Sequence, residues 1–177
     1  MTNSHATWTV LGSAGSHTGP GRVCAGHLLR TEEATVLVDA GNGATANLQR
    51  FVTLEDLDAI FVSHRHIDHC IDLIGMFYAR RFDPRVQRRL ALYAPEGVID
   101  ALTSMLSADS ALEFAGVFDV HDIAAGAQVT IGDVDVTCFT AVHPVPTVSM
   151  RFVTAAGVAA YSADTAANPA LVACARD

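Results

Sequence analysis

The 177-residue sequence contains no lysine; all 11 of its basic side chains are arginine. The Lys-Ser/Thr ending of a phosphate-binding P-loop is therefore absent, although a Gly-rich loop is present. Cysteine is sparse. Cys24, Cys70, Cys138 and Cys174 are widely spaced, with no C-x-x-C pair. That spacing indicates neither a disulfide framework nor a thiolate zinc site, and it leaves small buried apolar residues as the expectation. No apolar run reaches membrane-spanning length. The start, Met1-Thr2-Asn3-Ser4-His5, lacks the basic-then-apolar pattern of a secretory leader. A cytoplasmic setting without a membrane partner is expected. Repeats, low-complexity tracts and linker-like segments are missing too. Positive charge is outweighed, and the formal net charge of −8 argues against a surface that coats nucleic acid.

What is present is core. Half of the residues are apolar and mean hydropathy is +0.30. The length suits one domain, residues 1–177, with a real interior. Periodicity and turn residues predict strands at 7–11, 23–30, 35–40, 57–62, 90–94, 116–120, 128–131, 134–142, 148–154 and 158–161. Helices are expected at 44–51, 71–82, 95–106 and 167–176. Thr53-Leu54-Glu55-Asp56 reads as a helix-start signature. Alternating strands and helices imply an α/β layered domain.

Ser63-His64-Arg65-His66-Ile67-Asp68-His69 leaves the end of the apolar run 57–62. Three imidazoles and a carboxylate at one strand end are ligands for zinc or a similar divalent ion, and they have little structural use otherwise. In an extended loop His64 and His66 share a side. Asp68 and His69 follow as the chain turns into a helix. His143, after the 134–142 strand, and Asp164, after the 158–161 strand, are further candidates at strand ends. His5, His27 and His121 read as ordinary core or surface residues, and His17 is held open because its Gly-rich loop can reach the site. Arg80, Arg81, Arg85, Arg88 and Arg89 read chiefly as a solvated helix end and loop, with a clamp for an anionic substrate as the alternative.

This arrangement resembles the metallo-β-lactamase-fold hydrolases. Leu11-Gly12-Ser13 with the loop through Pro20-Gly21-Arg22, Val38-Asp39-Ala40-Gly41, His143-Pro144 and Tyr161-Ser162-Ala163-Asp164-Thr165 are similar to the family's other motifs, in the same order. Within the family, the sequence resembles the ribonuclease Z-like phosphodiesterases and their bacterial cyclic-nucleotide phosphodiesterase relatives. The resemblance implies an αββα sandwich with two zinc ions at the edge between its sheets (manganese or iron also suit such ligands). His64, His66 and His143 would hold the first, Asp68 and His69 the second, and Asp164 would bridge both. A hydroxide between the ions would be the nucleophile, with Asp68 as the catalytic carboxylate. Ser13, His17 and Arg81 are the candidates for touching substrate.

Two departures shape the expected function. Family domains continue past the Asp164 region with a strand, a helix and a last His, so the chain is expected to be truncated at its C-terminus, with a weakened second site. Only residues 144–163 separate His143 from Asp164, which leaves no room for the RNA-gripping arm of ribonuclease Z. A binuclear zinc phosphodiesterase acting on a small phosphodiester such as a cyclic nucleotide is the expectation. The alternatives are an RNA endonuclease, a thioester or lactam hydrolase, and a metal-binding fragment without turnover. A homodimer is compatible with the family.

Overall fold

The computed structural model describes residues 5–86 and 88–176. Residues 1–4, which carry most of the leader reading, and Asp177 lie outside them. The chain runs β1 (Thr7–Gly12), β2 (Gly26–Arg30), β3 (Thr35–Ala40), α1 (Ala44–Leu48), β4 (Ala59–Phe61), α2 (Ile67–Cys70), α3 (Asp72–Phe82) and β5 (Leu90–Ala94). It continues with α4 (Val98–Thr103), α5 (Ala108–Val117), β6 (Phe118–Asp122), β7 (Gln128–Ile131), β8 (Val134–Thr140), β9 (Val148–Thr154), β10 (Gly157–Tyr161) and α6 (Pro169–Cys174).

Two sheets stack face to face. The first has the order β1-β2-β3-β4-β5-β6, antiparallel from β1 to β3 and parallel from β3 to β6. The second is wholly antiparallel, in the order β10-β9-β8-β7. Alternation along each strand separates two cores. Leu28, Leu37, Ile60 and Leu92 face the helices and pack with Leu73, Phe77, Leu102 and Phe114. Leu29, Val36, Val38 and Phe61 face the second sheet and pack with Val136, Met150 and Phe152. α6 lies against β8 and β9. There Arg151 donates to the carbonyls of Cys174 (3.1 Å) and Arg176. The layers are therefore α-β-β-α, the sandwich that the sequence motifs imply.

Local chemistry corrects several expected elements. Residues 95–97 form a turn rather than the start of a helix, because Gly97 adopts a left-handed φ of 84° at the N-cap of α4. The expected strand 116–120 begins only at Phe118. Residues 108–117 are helical instead, started by Ser107, whose Oγ accepts from Ser110 N at 3.3 Å. Thr53 and Asp56 do make a capping contact, Asp56 Oδ2 accepting from Thr53 N (2.8 Å) and Oγ1 (2.9 Å), but it closes a turn. Residues 23–25 lie outside β2, held by Ala14 N donating to Val23 O and Cys24 N to Asn42 O. All four cysteines are buried and free. No helix among the described residues is long and apolar enough to cross a membrane.

The arginine cluster is built into the fold. Arg80 is buried, donating from Nη1 to Leu54 O (3.0 Å) and from Nη2 to Arg88 O (2.9 Å). It thereby staples the segment before β4 to the segment before β5. Arg85 pairs with Asp83, Arg88 with Asp58 and Arg89 with Asp119. Removing two charge-assisted bonds to backbone costs about 3–6 kcal/mol. Arg80→Ala should therefore lower the melting temperature by about 6–24 °C in a thermal unfolding scan. An unchanged melting temperature would mean that the staple contributes nothing.

Candidate metal centre

β4 is short and wholly buried, and it delivers Ser63 and His64 to the rim between the sheets, both with no exposed surface. The chain stays extended at His66 (φ −66°, ψ 142°) and then turns into α2, which carries Asp68 and His69. Close approach of backbone to backbone makes this turn fit: a Cβ at Gly41 would stand 1.8 Å from the carbonyl oxygen of Asp68. The second sheet supplies the other groups. His143 follows β8, and Asp164 follows β10. Their loops are clipped together, Thr165 Oγ1 accepting from Val142 N at 2.9 Å and Ala166 N donating to Val142 O at 2.9 Å. Ala163, beside Asp164, carries a left-handed φ of 52°, a conformation that favours glycine. Across the sheets, Val148 N donates to Ser63 O at 3.1 Å.

Among the described residues, two sets of potential ligand atoms converge, and His64 belongs to both. In the first, His66 Nδ1 lies 3.1 Å from His64 Nε2 and 3.0 Å from His143 Nε2. The second joins His64, His69 and Asp164, with His69 Nε2 3.5 Å from Asp164 Oδ1. Asp68 Oδ2 is 3.7 Å from the same nitrogen. The donor set fits a divalent ion: nitrogens about 2.0–2.1 Å from a tetrahedral zinc stand about 3.3 Å apart, close to the spacings here. Neutral imidazole is required for that, and burial, followed by the neighbouring charge of His69, lowers the His64 pKa to about 4.

Behind the ligands sits a carboxylate to which the sequence reading gave no role. Asp39, at the end of β3, is completely buried, with a left-handed φ of 58°. Its Oδ1 accepts from Ser63 N at 2.7 Å. Its Oδ2 accepts from Ser63 Oγ (2.8 Å), His69 Nδ1 (2.7 Å) and Tyr161 Oη (2.6 Å). Ser63 Oγ also lies 3.0 Å from His64 Nδ1. Since Ser63 spends its proton on Asp39, His64 Nδ1–H must be the donor to Ser63. Both His64 and His69 are then held with Nε2 facing the ligand cluster, as carboxylate-oriented metal histidines are. Burial raises the carboxyl pKa of Asp39, but the bonds from His69, Tyr161 and Ser63 outweigh it and leave the pKa low. Burial pulls the His69 pKa down, and the bond to Asp39 with the charges of Asp39, Asp164 and Asp68 more than restores it, so the net shift is upward.

The substrate candidates are not gathered here. Ser13 and His17 are exposed, and the Gly-rich loop reaches the open cavity at the site through Ser16 instead. Arg81 lies on α3, pairs with Glu113 and lines a different surface cleft with Arg88 and Arg89. Each of the side chains at 81, 85, 88 and 89 pairs with a carboxylate, which disfavours the clamp for an anionic substrate, the alternative reading of that cluster. Of the other histidines, His5 is exposed, His121 bonds Asp119 and His27 accepts from Trp8 Nε1 at 3.3 Å. Cys70, next to His69, donates to His66 O at 3.3 Å, and burial pushes its thiol up to about 12, so it is inert.

Residues 7–177 match the family described as Anti-Pycsar protein Apyc1. Protein Rv1339 of Mycobacterium tuberculosis is 35% identical over 173 residues, 95% of this chain and 63% of its own length. Ribonuclease Z of Methanopyrus kandleri is 30% identical over 147 residues, 81% of this chain and 49% of its own. The crystal structure of the metallo-β-lactamase fold protein YhfI from Bacillus subtilis superposes with a TM-score of 0.78 at 23% identity, over 93% of this chain and 64% of YhfI. The chain thus spans less than two thirds of the length of each of these relatives.

The histidines differ in a way that titration can read. In metal-free protein followed by NMR, the His64 imidazole should stay neutral down to about pH 4. His69 should remain protonated above about pH 6.5, the ordinary histidine value. Its stabilising pairing with Asp39 is complete below that value and is lost as pH rises through its folded-state pKa. His69 titrating below His64 would contradict the assignment.

Proposed function

We propose, from the premise that the chain belongs to the Anti-Pycsar protein Apyc1 family with a metallo-β-lactamase fold, that it is a metal-dependent phosphodiesterase acting on a small phosphodiester such as a cyclic nucleotide. The observation that carries this reading is the pair of ligand sets sharing His64 at one sheet rim. His64, His66 and His143 would hold one divalent ion. His69 and Asp164, with Asp68 beside them, would hold a second. Zinc is the first choice of metal. When bound, such a pair would supply a more acidic water and would neutralise charge on the attacking and leaving oxygens of a phosphodiester.

The chain's own residues complete the requirement. Asp39 and Ser63 fix the tautomers of His69 and His64, so no reorganisation is needed when charge develops. Asp68 is buried except for one edge that lines the cavity, where a carboxylate can accept a proton from attacking water. The cavity is open, which admits a small diester. Between His143 and Asp164 the described chain forms the β9–β10 hairpin, whose two strands take up most of the interval. That architecture supports a small substrate over a long RNA, although ribonuclease Z is among the relatives.

The test is hydrolysis of bis(p-nitrophenyl) phosphate and cyclic AMP by zinc- or manganese-loaded protein, with nitrocefin and a thioester as alternatives. The diesters should be cleaved preferentially. A His66→Ala, Asp68→Ala double substitution should reduce both metal content and diester turnover, the latter by more than about 100-fold. Wild-type turnover by that variant, or faster cleavage of the lactam or thioester, would overturn the proposal.

A further inference from the structure

The cavity over the ligand cluster is lined by Ser16, Arg65, His66, Asp68, His143 and Asp164, with Ile67, Ala101 and Val145. Its ionisable residues are therefore the expected metal ligands and one other, Arg65. This guanidinium is unlike those of the 80–89 segment. Arg81, Arg85, Arg88 and Arg89 each meet a carboxylate, whereas Arg65 is exposed and pairs with none among the described residues. Its backbone is nevertheless fixed: its neighbours His64 and His66 belong to the cluster, and its carbonyl accepts from Cys70 Sγ at 3.6 Å. Its side chain lies along Gly97. The Cδ and Nη1 atoms are 3.4 and 3.8 Å from where a Cβ at that residue would stand. A glycine at the head of α4 thus leaves the long side chain room beside the cavity.

We propose that Arg65 is the substrate-binding residue that reads the phosphate of a phosphodiester, gripping its non-bridging oxygens as the ester approaches the metal ligands. The proposal rests on the phosphodiesterase reading and deepens it. A diester carries one negative charge on two equivalent oxygens. A planar guanidinium matches that pair with two parallel hydrogen bonds, and no competing carboxylate has to be displaced first. A lactam or thioester carbonyl presents no such pair. Arg65 therefore biases the site towards anionic phosphoesters, the role given to the 80–89 cluster only as the alternative reading of the sequence.

The experiment compares wild type, Arg65→Ala and Arg65→Lys as metal-loaded full chains. Inorganic phosphate is titrated calorimetrically, and bis(p-nitrophenyl) phosphate is the substrate. Arg65→Ala should weaken phosphate binding and raise KM by about tenfold each, with kcat changed by less than about threefold. Arg65→Lys, which keeps the charge but not the fork, should fall between the two. Metal content and melting temperature should not move, because the side chain is exposed. Phosphate affinity and KM within about twofold of wild type in Arg65→Ala would overturn the assignment. If wild type cleaves no diester, the phosphodiesterase reading fails by itself, and the phosphate titration still decides whether Arg65 captures the anion.

Discussion

The structure depends on one carboxylate. Asp39 is sealed between the two sheets, in a left-handed backbone conformation that costs a non-glycine residue of order 1 kcal/mol. An isolated charge there would not be tolerated. It is tolerated because four donors converge on its two oxygens: the Ser63 amide and hydroxyl, the His69 ring and the Tyr161 hydroxyl. Removing any of them would leave a buried charge under-satisfied, which makes the cluster all-or-none in character. The same bonds fix which nitrogens of His64 and His69 face outward. Stability of the sheet interface and readiness of the ligands are one arrangement.

That node also explains why the site lies at the rim. Asp39 and the 63–69 stretch leave neighbouring parallel strands of the first sheet, β3 and β4. Tyr161, His143 and Asp164 come from the second sheet or its loops. Tyr161 reaches across from β10 while its ring lies tilted against His27, which takes a hydrogen bond from Trp8. Ser63 O receives the Val148 amide at the start of β9. The sheets are thus joined by polar bonds at the ligand end and by Phe61, Met150 and Phe152 deeper down. Shifting one sheet against the other would separate His143 from His66, so packing of the apolar interior sets the ligand spacing.

Much of this was legible in the sequence, for identifiable reasons. β5, β7 and β9 were predictable to the residue, because turn residues bound short alternating apolar runs. The His64–His69 cluster announced itself because ligands close in sequence need no fold to bring them together. His143 and Asp164 were legible only through their positions at strand ends and the resemblance. Other features were hidden by distance. Asp39 looks like a turn residue; its partners lie 24, 30 and 122 positions away. Arg65 carries no sequence signal of its own, and the carboxylate partners of Arg81, Arg85, Arg88 and Arg89 are apparent only in the fold. α5 was lost because its serine N-cap precedes a run of small and mixed residues with weak periodicity.

The central claim is that Asp39 organises the ligand set. Competitive metal titration of an Asp39→Asn variant tests it most directly, since asparagine keeps the size and tolerates the left-handed backbone. The account predicts that affinity at the position involving His69 falls about 10–100-fold, while the position formed by His64, His66 and His143 loses much less. Unchanged affinity at both positions in a folded variant would contradict it.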